Sequence, residues 1–176
     1  MKQPPPGRSD ARGLQLCILR SAFNAPIVDG LLAGAREALR EMGAGSDAVH
    51  VVDVPGAFEL PLAAQGAAAS GRFDAVVALG AVIKGDTDHY EHISREAASG
   101  LAAVARETGV PVAFGVLTCG TEAQAVARSM PGEDNKGAEA ARAAVAMVHV
   151  LKGFTTKTQT TQRTKTRRGK RKGGSK

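Results

Sequence analysis

The sequence predicts a doubly wound α/β fold, a three-layer α/β/α sandwich built on a four-stranded parallel sheet. Apolar runs of strand length alternate with amphipathic helical segments, as in βαβ units around a sheet covered on both faces. Right-handed crossovers place helices on the two sides of such a sheet. The length, 176 residues, suits a single core of ordinary size.

The elements follow in order. Leu14 to Arg20 is a continuous apolar run and reads as the first strand. Ser21-Ala22-Phe23-Asn24 comes next, and Pro26 is placed to open a helix. Ile27, Leu31, Ala35, Leu39 and Met42 share one face of that helix, which Gly43 and Gly45 end. Ala48 to Val54 is the second strand; Phe58 to Ser70 is the second helix, with Pro61 tolerable only in its first turn. Asp74 to Ile83 is the third and most apolar strand. Asp88 to Thr108 is a long helix, and Val110 to Leu117 a fourth strand. Thr121 to Ser129 and Lys136 to Lys152 are closing helices split by Pro131-Gly132. Residues 1–13 read as a flexible arm, 14–154 as one catalytic domain, and 155–176 as a disordered basic tail.

Hydrophobic residues make up 43% of the chain and aromatics 3%, with no Trp, so Ala, Val, Leu and Ile must build the core. A core so poor in large side chains buries little per residue, which points toward oligomerisation. The net charge of +6 belongs to the tail alone. Residues 155–176 carry nine Lys or Arg and no Asp or Glu, leaving 14 basic against all 17 acidic residues before them. Cys17 and Cys119 lack metal-type spacing and suggest reduced thiols. The first residues contain no apolar signal segment, and no stretch approaches a membrane span. A cytoplasmic protein is expected.

Ligands of an open parallel sheet bind beyond the carboxyl ends of its strands. That rule selects Ser21–Ala25, Pro55–Glu59, Lys84–His89 and Thr118–Glu122. Phe23 stands beside Asn24, and Phe58 beside Glu59. Each phenyl face could stack on a flat heterocycle while its polar neighbour pairs with the ring edge. The competing reading makes both phenylalanines core plugs. The third loop runs from a Gly turn into a helix start through Lys84-Gly85-Asp86-Thr87-Asp88-His89. Free amides at such a start form an anion site, Thr87 adds a hydroxyl, and His89 could move protons near neutral pH. Alternatively Asp86 or Thr87 merely caps the helix and His89 is a solvated surface residue. His89, His92 and Glu96 raise a metal site, but no further ligand stands nearby to complete it. His50 and His149 read as structural, and Cys119 has no evident base to make it a nucleophile.

Five segments together resemble the lumazine synthase family. They are Phe23-Asn24, Val54-Pro55-Gly56-Ala57-Phe58-Glu59-Leu60-Pro61, Leu79 to His89, Phe114-Gly115-Val116-Leu117-Thr118, and Asn135-Lys136-Gly137-Ala138-Glu139-Ala140. They stand in the family's order and spacing over about 140 residues. The resemblance implies condensation of 5-amino-6-(D-ribitylamino)uracil with 3,4-dihydroxy-2-butanone 4-phosphate, in riboflavin biosynthesis, without metal or organic cofactor. It implies that Phe23 stacks on the pyrimidine, with Asn24 beside it. Ala57, Phe58 and Glu59 would hold the ribityl chain, and Ala81, Val82 and Ile83 the pyrimidine edge. Asp86 and Thr87 would meet the phosphate, and His89 would shuttle protons. Phe114 and Arg128 would come from a neighbouring subunit, Arg128 clamping the phosphate with Lys136 assisting.

The resemblance further implies a pentamer or a 60-subunit shell, and the short stretch from Arg128 to Lys136 points to the larger particle. Asp88 and Cys119 depart from residues common in the family, Pro at the first. Two alternatives compete with this reading. One is a related riboflavin-synthase-type enzyme. The other is a nucleic-acid-binding or packaging shell working through the basic tail.

Overall fold

The computed structural model describes the backbone of residues 10–170 and the side chains of residues 10–154. Four strands, β1 (Leu16–Ser21), β2 (Val49–Val54), β3 (Ala75–Ile83) and β4 (Val112–Cys119), form one sheet in the order β2-β1-β3-β4. Every pairing is parallel, with Leu16 opposite both Val49 and Ala75, and Val76 opposite Val112. The chain steps from β1 outward to β2, then back across β1 to β3. The order therefore reverses between β1 and β3, which opens a crevice at their carboxyl ends.

The two inner strands are apolar on both faces because both faces are covered. Helices α1 (Ala25–Glu41), α4 (Glu122–Ser129) and α5 (Lys136–Lys170) pack on one side, through Ile27, Leu31, Leu39, Ala141 and Val145. Helices α2 (Leu60–Ala69) and α3 (His89–Thr108) pack on the other, through Leu60, Ala64, Leu101 and Val104. Leu16, Leu19, Leu79 and Leu101 are each fully buried, and each such burial stabilises by about 1.5–3 kcal/mol. The predicted sandwich is thus the observed one.

Local chemistry sets the helix ends. Pro26 and Pro61 lie in the first turns of α1 and α2, where a missing N–H costs nothing. Gly43 follows α1 with φ +84°, and its N–H reaches the Arg40 carbonyl at 3.0 Å. The Thr121 hydroxyl accepts from the Gln124 N–H and starts α4. β4 begins later than expected, at Val112, because Pro111 has no N–H to give to a ladder and Val110 N–H donates to the Thr108 hydroxyl. The small residues let α1 and α5 approach closely: a methyl group at Gly137 would lie 2.0 Å from the Leu31 carbonyl oxygen. Gly137→Ala should therefore destabilise the domain by about 3 kcal/mol, as overpacking against rigid backbone does. A urea unfolding midpoint equal to that of the unchanged protein would contradict this packing.

Two boundaries differ from expectation. The arm expected over residues 1–13 is packed at its end. Ala11 is fully buried and donates its N–H to the Met42 carbonyl at 2.8 Å, and the Asp10 carbonyl meets His149 Nε2 at 2.6 Å. A single buried alanine among polar residues leaves no periodic signal, which is why composition alone missed it. The rest of the expected arm lies outside the described residues. At the other end α5 does not stop near Lys152 but continues to Lys170. No proline stands in that stretch, and its two glycines, Gly153 and Gly169, each cost a helix only about 1 kcal/mol. Residues 171–176 lie outside the described residues. No helix among the described residues is long and apolar enough to cross a membrane.

Candidate active site

The β1–β3 crevice is built from three loops and one helix start. After β1 the chain turns sharply, and Asn24 alone among the described non-glycine residues takes a positive φ, +57°. Asn tolerates this left-handed region better than most residues. Its side-chain Nδ2 donates to the Ala81 carbonyl at 2.8 Å, which ties the β1 loop to the end of β3. Ala22 N–H donates to the Val54 carbonyl at 2.8 Å, tying the same loop to β2. The three strand ends are thereby fixed relative to one another.

This frame presents two phenyl rings to solvent. Phe23 is 70% exposed and Phe58 56%, so neither plugs the core and the competing reading falls. Between them lies a cleft of about 520 Å³, a size suited to a small-molecule ligand. Phe23, Asn24, Ala57, Phe58, Glu59, Ala81, Val82, Ile83, Thr87 and His89 all line it, together with Gly56, Gly85, Tyr90 and Ile93. A methyl group at Gly56 would sit 3.0 Å from a Glu59 carboxylate oxygen, so the glycine leaves room for that carboxylate.

At the far end, α3 begins at His89. Its N-cap residue is Asp88, whose carboxylate makes no capping hydrogen bond, so neither Asp86 nor Thr87 closes the helix as a cap. Asp86, Thr87 and His89 are exposed there; Thr87 and His89 line the cleft, whereas Asp86, expected in the site, does not. The start of α3 thus offers backbone donors and a hydroxyl beside an imidazole.

Three expected residues lie elsewhere in the chain. Phe114, 44% exposed on β4, lines a separate hollow of about 230 Å³ with Lys136 and Glu139. Lys136 pairs with Glu139. Arg128 is exposed on α4 and donates from Nη1 to the Gln124 carbonyl at 2.8 Å. None of the three lines the cleft of its own chain.

The remaining candidates resolve simply. His149 and His50 are structural, the latter edge-on to Phe73 at 5.4 Å. Both cysteines are buried and free, neither lines the cleft, and burial pushes the Cys17 thiol up to about 11. Among the described residues no three His, Cys, Asp or Glu gather as a metal set. Tyr90 and Ile93 were not anticipated. Ile93 stands four residues after His89, on the same helix face, and that spacing could have found it. Tyr90 carried no such signal.

A sequence profile of the 6,7-dimethyl-8-ribityllumazine synthase family matches residues 13–152. The chain belongs to this family. It is also 54% identical over 141 residues to a 6,7-dimethyl-8-ribityllumazine synthase of Edwardsiella ictaluri (strain 93-146), covering 80% of this chain and 90% of that protein. These matches do not favour the riboflavin-synthase-type or the nucleic-acid reading as the main activity. Lumazine synthase membership also bears on the loops. The segments that first suggested the family are the ones that line the crevice, apart from the Phe114 and Asn135 segments.

Proposed function

We propose that this chain condenses 5-amino-6-(D-ribitylamino)uracil with 3,4-dihydroxy-2-butanone 4-phosphate to give 6,7-dimethyl-8-ribityllumazine, releasing two waters and inorganic phosphate. The observation that carries the reading is the family match, joined to a cleft lined by ten of the anticipated residues. Mixing the purified protein with both substrates and following lumazine absorbance tests it. Consumption of lumazine supplied alone would instead indicate the riboflavin-synthase-type reaction.

The reaction asks for positioning and proton movement more than for a strong electrophile, because the attacking amine is already nucleophilic. Phe23 stacks on the pyrimidine, and Asn24 holds the loop that carries it. Ala81, Val82 and Ile83 meet the ring edge through their backbone. Ala57, Phe58 and Glu59 receive the ribityl chain. Thr87 and the amides near Asp86 receive the phosphate at the start of α3, where the helix dipole favours an anion. His89 carries protons during Schiff-base formation and phosphate loss.

Phe114, Arg128 and Lys136 complete the cleft of an adjacent copy in this reading, so the competent unit is an oligomer, a pentamer or a 60-subunit shell. The exposure of Phe114 and Arg128, and the half-buried position of Lys136, all outside their own chain's cleft, support it. Arg128 clamps the phosphate with its planar fork of donors. Arg128→Lys should raise KM for the butanone phosphate at least several-fold more than KM for the pyrimidine. Equal changes in both would contradict a role specific to phosphate. A cytoplasmic location fits the two buried, unpaired thiols.

A second reading concerns residues 155–176. They hold nine cations, no carboxylate and no Val, Leu, Ile, Met or aromatic residue. A membrane-surface helix needs an apolar face and sequence readout needs stacking or base-edge groups, so this composition favours sequence-independent contact with nucleic-acid phosphates.

A further inference from the structure

The side chain of Asn135 is buried, with only 1% of the residue exposed, and it joins three helices. Its Oδ1 accepts from the N–H groups of Gly137 at 2.9 Å and Ala138 at 3.0 Å, which caps the start of α5. Its Nδ2 donates to the carbonyls of Ser129 at 2.9 Å, Met130 at 3.1 Å and Gly30 at 3.0 Å. One amide therefore holds the end of α4, the start of α5 and the middle of α1.

The surroundings are shaped for this group. A methyl at Gly34 would lie 2.1 Å from Asn135 Oδ1, and one at Gly30 would lie 2.5 Å from the Ser129 carbonyl oxygen. Arg128 directly precedes Ser129, and Lys136 directly follows Asn135. The two cations thus sit on either side of a single buried clamp, on separate helices with Pro131-Gly132 between them. Without the clamp, the loop between α4 and α5 would let their separation vary.

We infer that Asn135 is a positioning residue: its amide sets the spacing of Arg128 and Lys136, and through them the phosphate end of the site. The inference rests on the proposed phosphate role of Arg128. Asn135 need touch no substrate. Losing only its Nδ2 donors should therefore weaken phosphate recognition while leaving the pyrimidine half of the cleft, built on β1, β2 and β3, as it was.

Two variants test this in the full-length assembled protein. Asn135→Ser keeps an oxygen able to cap α5 but loses the donors to α4 and α1. Asn135→Asp keeps the shape and the cap while turning an oxygen toward the three carbonyls. Asn135→Ser should raise KM for the butanone phosphate about tenfold and change KM for the pyrimidine less than twofold. Asn135→Asp should act in the same direction, and more strongly. The effect of Asn135→Ser should also shrink when Arg128 is already lysine, since both changes act through one contact. Inorganic phosphate, titrated as a competitive inhibitor, should bind more weakly to Asn135→Ser than to the unchanged protein. A lowered melting temperature with both KM values and phosphate inhibition unchanged would overturn the positioning role and leave a purely structural cap. Arg128→Lys without effect on the butanone phosphate would overturn the phosphate reading, and the inference with it.

Discussion

His89→Ala should lower turnover by about 10², with the fold and the pyrimidine KM little changed, as the loss of a general acid–base group does. The imidazole stands exposed in the first turn of α3, and it lines the cleft from outside the core. Removing it opens no cavity, so stability should stay within about 0.5 kcal/mol, the range of ordinary surface changes. The deficit should appear in kcat at saturating concentrations of both substrates. A histidine that merely bound substrate would show its loss in KM instead. Full turnover in the alanine variant would return His89 to the solvated surface role.

Deleting residues 155–176 should leave lumazine formation within about twofold of the intact protein, because a group remote from the reacting atoms changes neither positioning nor proton transfer. The same deletion should abolish retention of RNA. Lys152 remains in the truncated chain, with its ammonium 3.3 Å from an Asp74 carboxylate oxygen, so the end of the domain is preserved. In the intact protein, six to ten phosphate contacts should weaken affinity by about 10³–10⁵ between 50 and 200 mM salt, since each contact releases condensed counterions. The α5 backbone from 155 to 170 is about 24 Å long at 1.5 Å per residue. Several such segments on one particle would reinforce one another at high effective concentration. Filter retention of RNA by intact and truncated protein, at both salt concentrations, reads the two effects together. Binding that survives truncation, or ignores salt, would end the electrostatic account.

The sheet and its helices were legible because burial dictates pattern. β3 is apolar at every position since helices cover both its faces, and α1 shows its stripe since only one of its faces is covered. Three of the four loops chosen because they follow strands line the cleft, whereas Thr118–Glu122 does not, since the strand order that puts the crevice at β1 and β3 is not written in the pattern. Patterning could not see contacts made by single atoms. Ala11 packs without periodicity, and the bond from Asn135 Nδ2 to the Gly30 carbonyl, 105 residues away in sequence, leaves no mark in any spacing. The position of Arg128, outside the cleft of its own chain, was likewise invisible to spacing.

Asn24 also narrows what this chain can become by mutation. Its backbone holds a left-handed conformation that costs most other side chains about 1–2 kcal/mol, while its amide holds the Ala81 carbonyl. Glycine would ease the backbone and lose the tether; any branched or bulky residue would lose the tether and add strain. Aspartate would adopt the turn but offer an acceptor to an acceptor. No single substitution satisfies both demands, so drift at this position meets a barrier on every side. The loop carrying Phe23 then depends on this one side chain for its tie to β3, while the Ala22 N–H ties it to β2 whatever residue stands at 24.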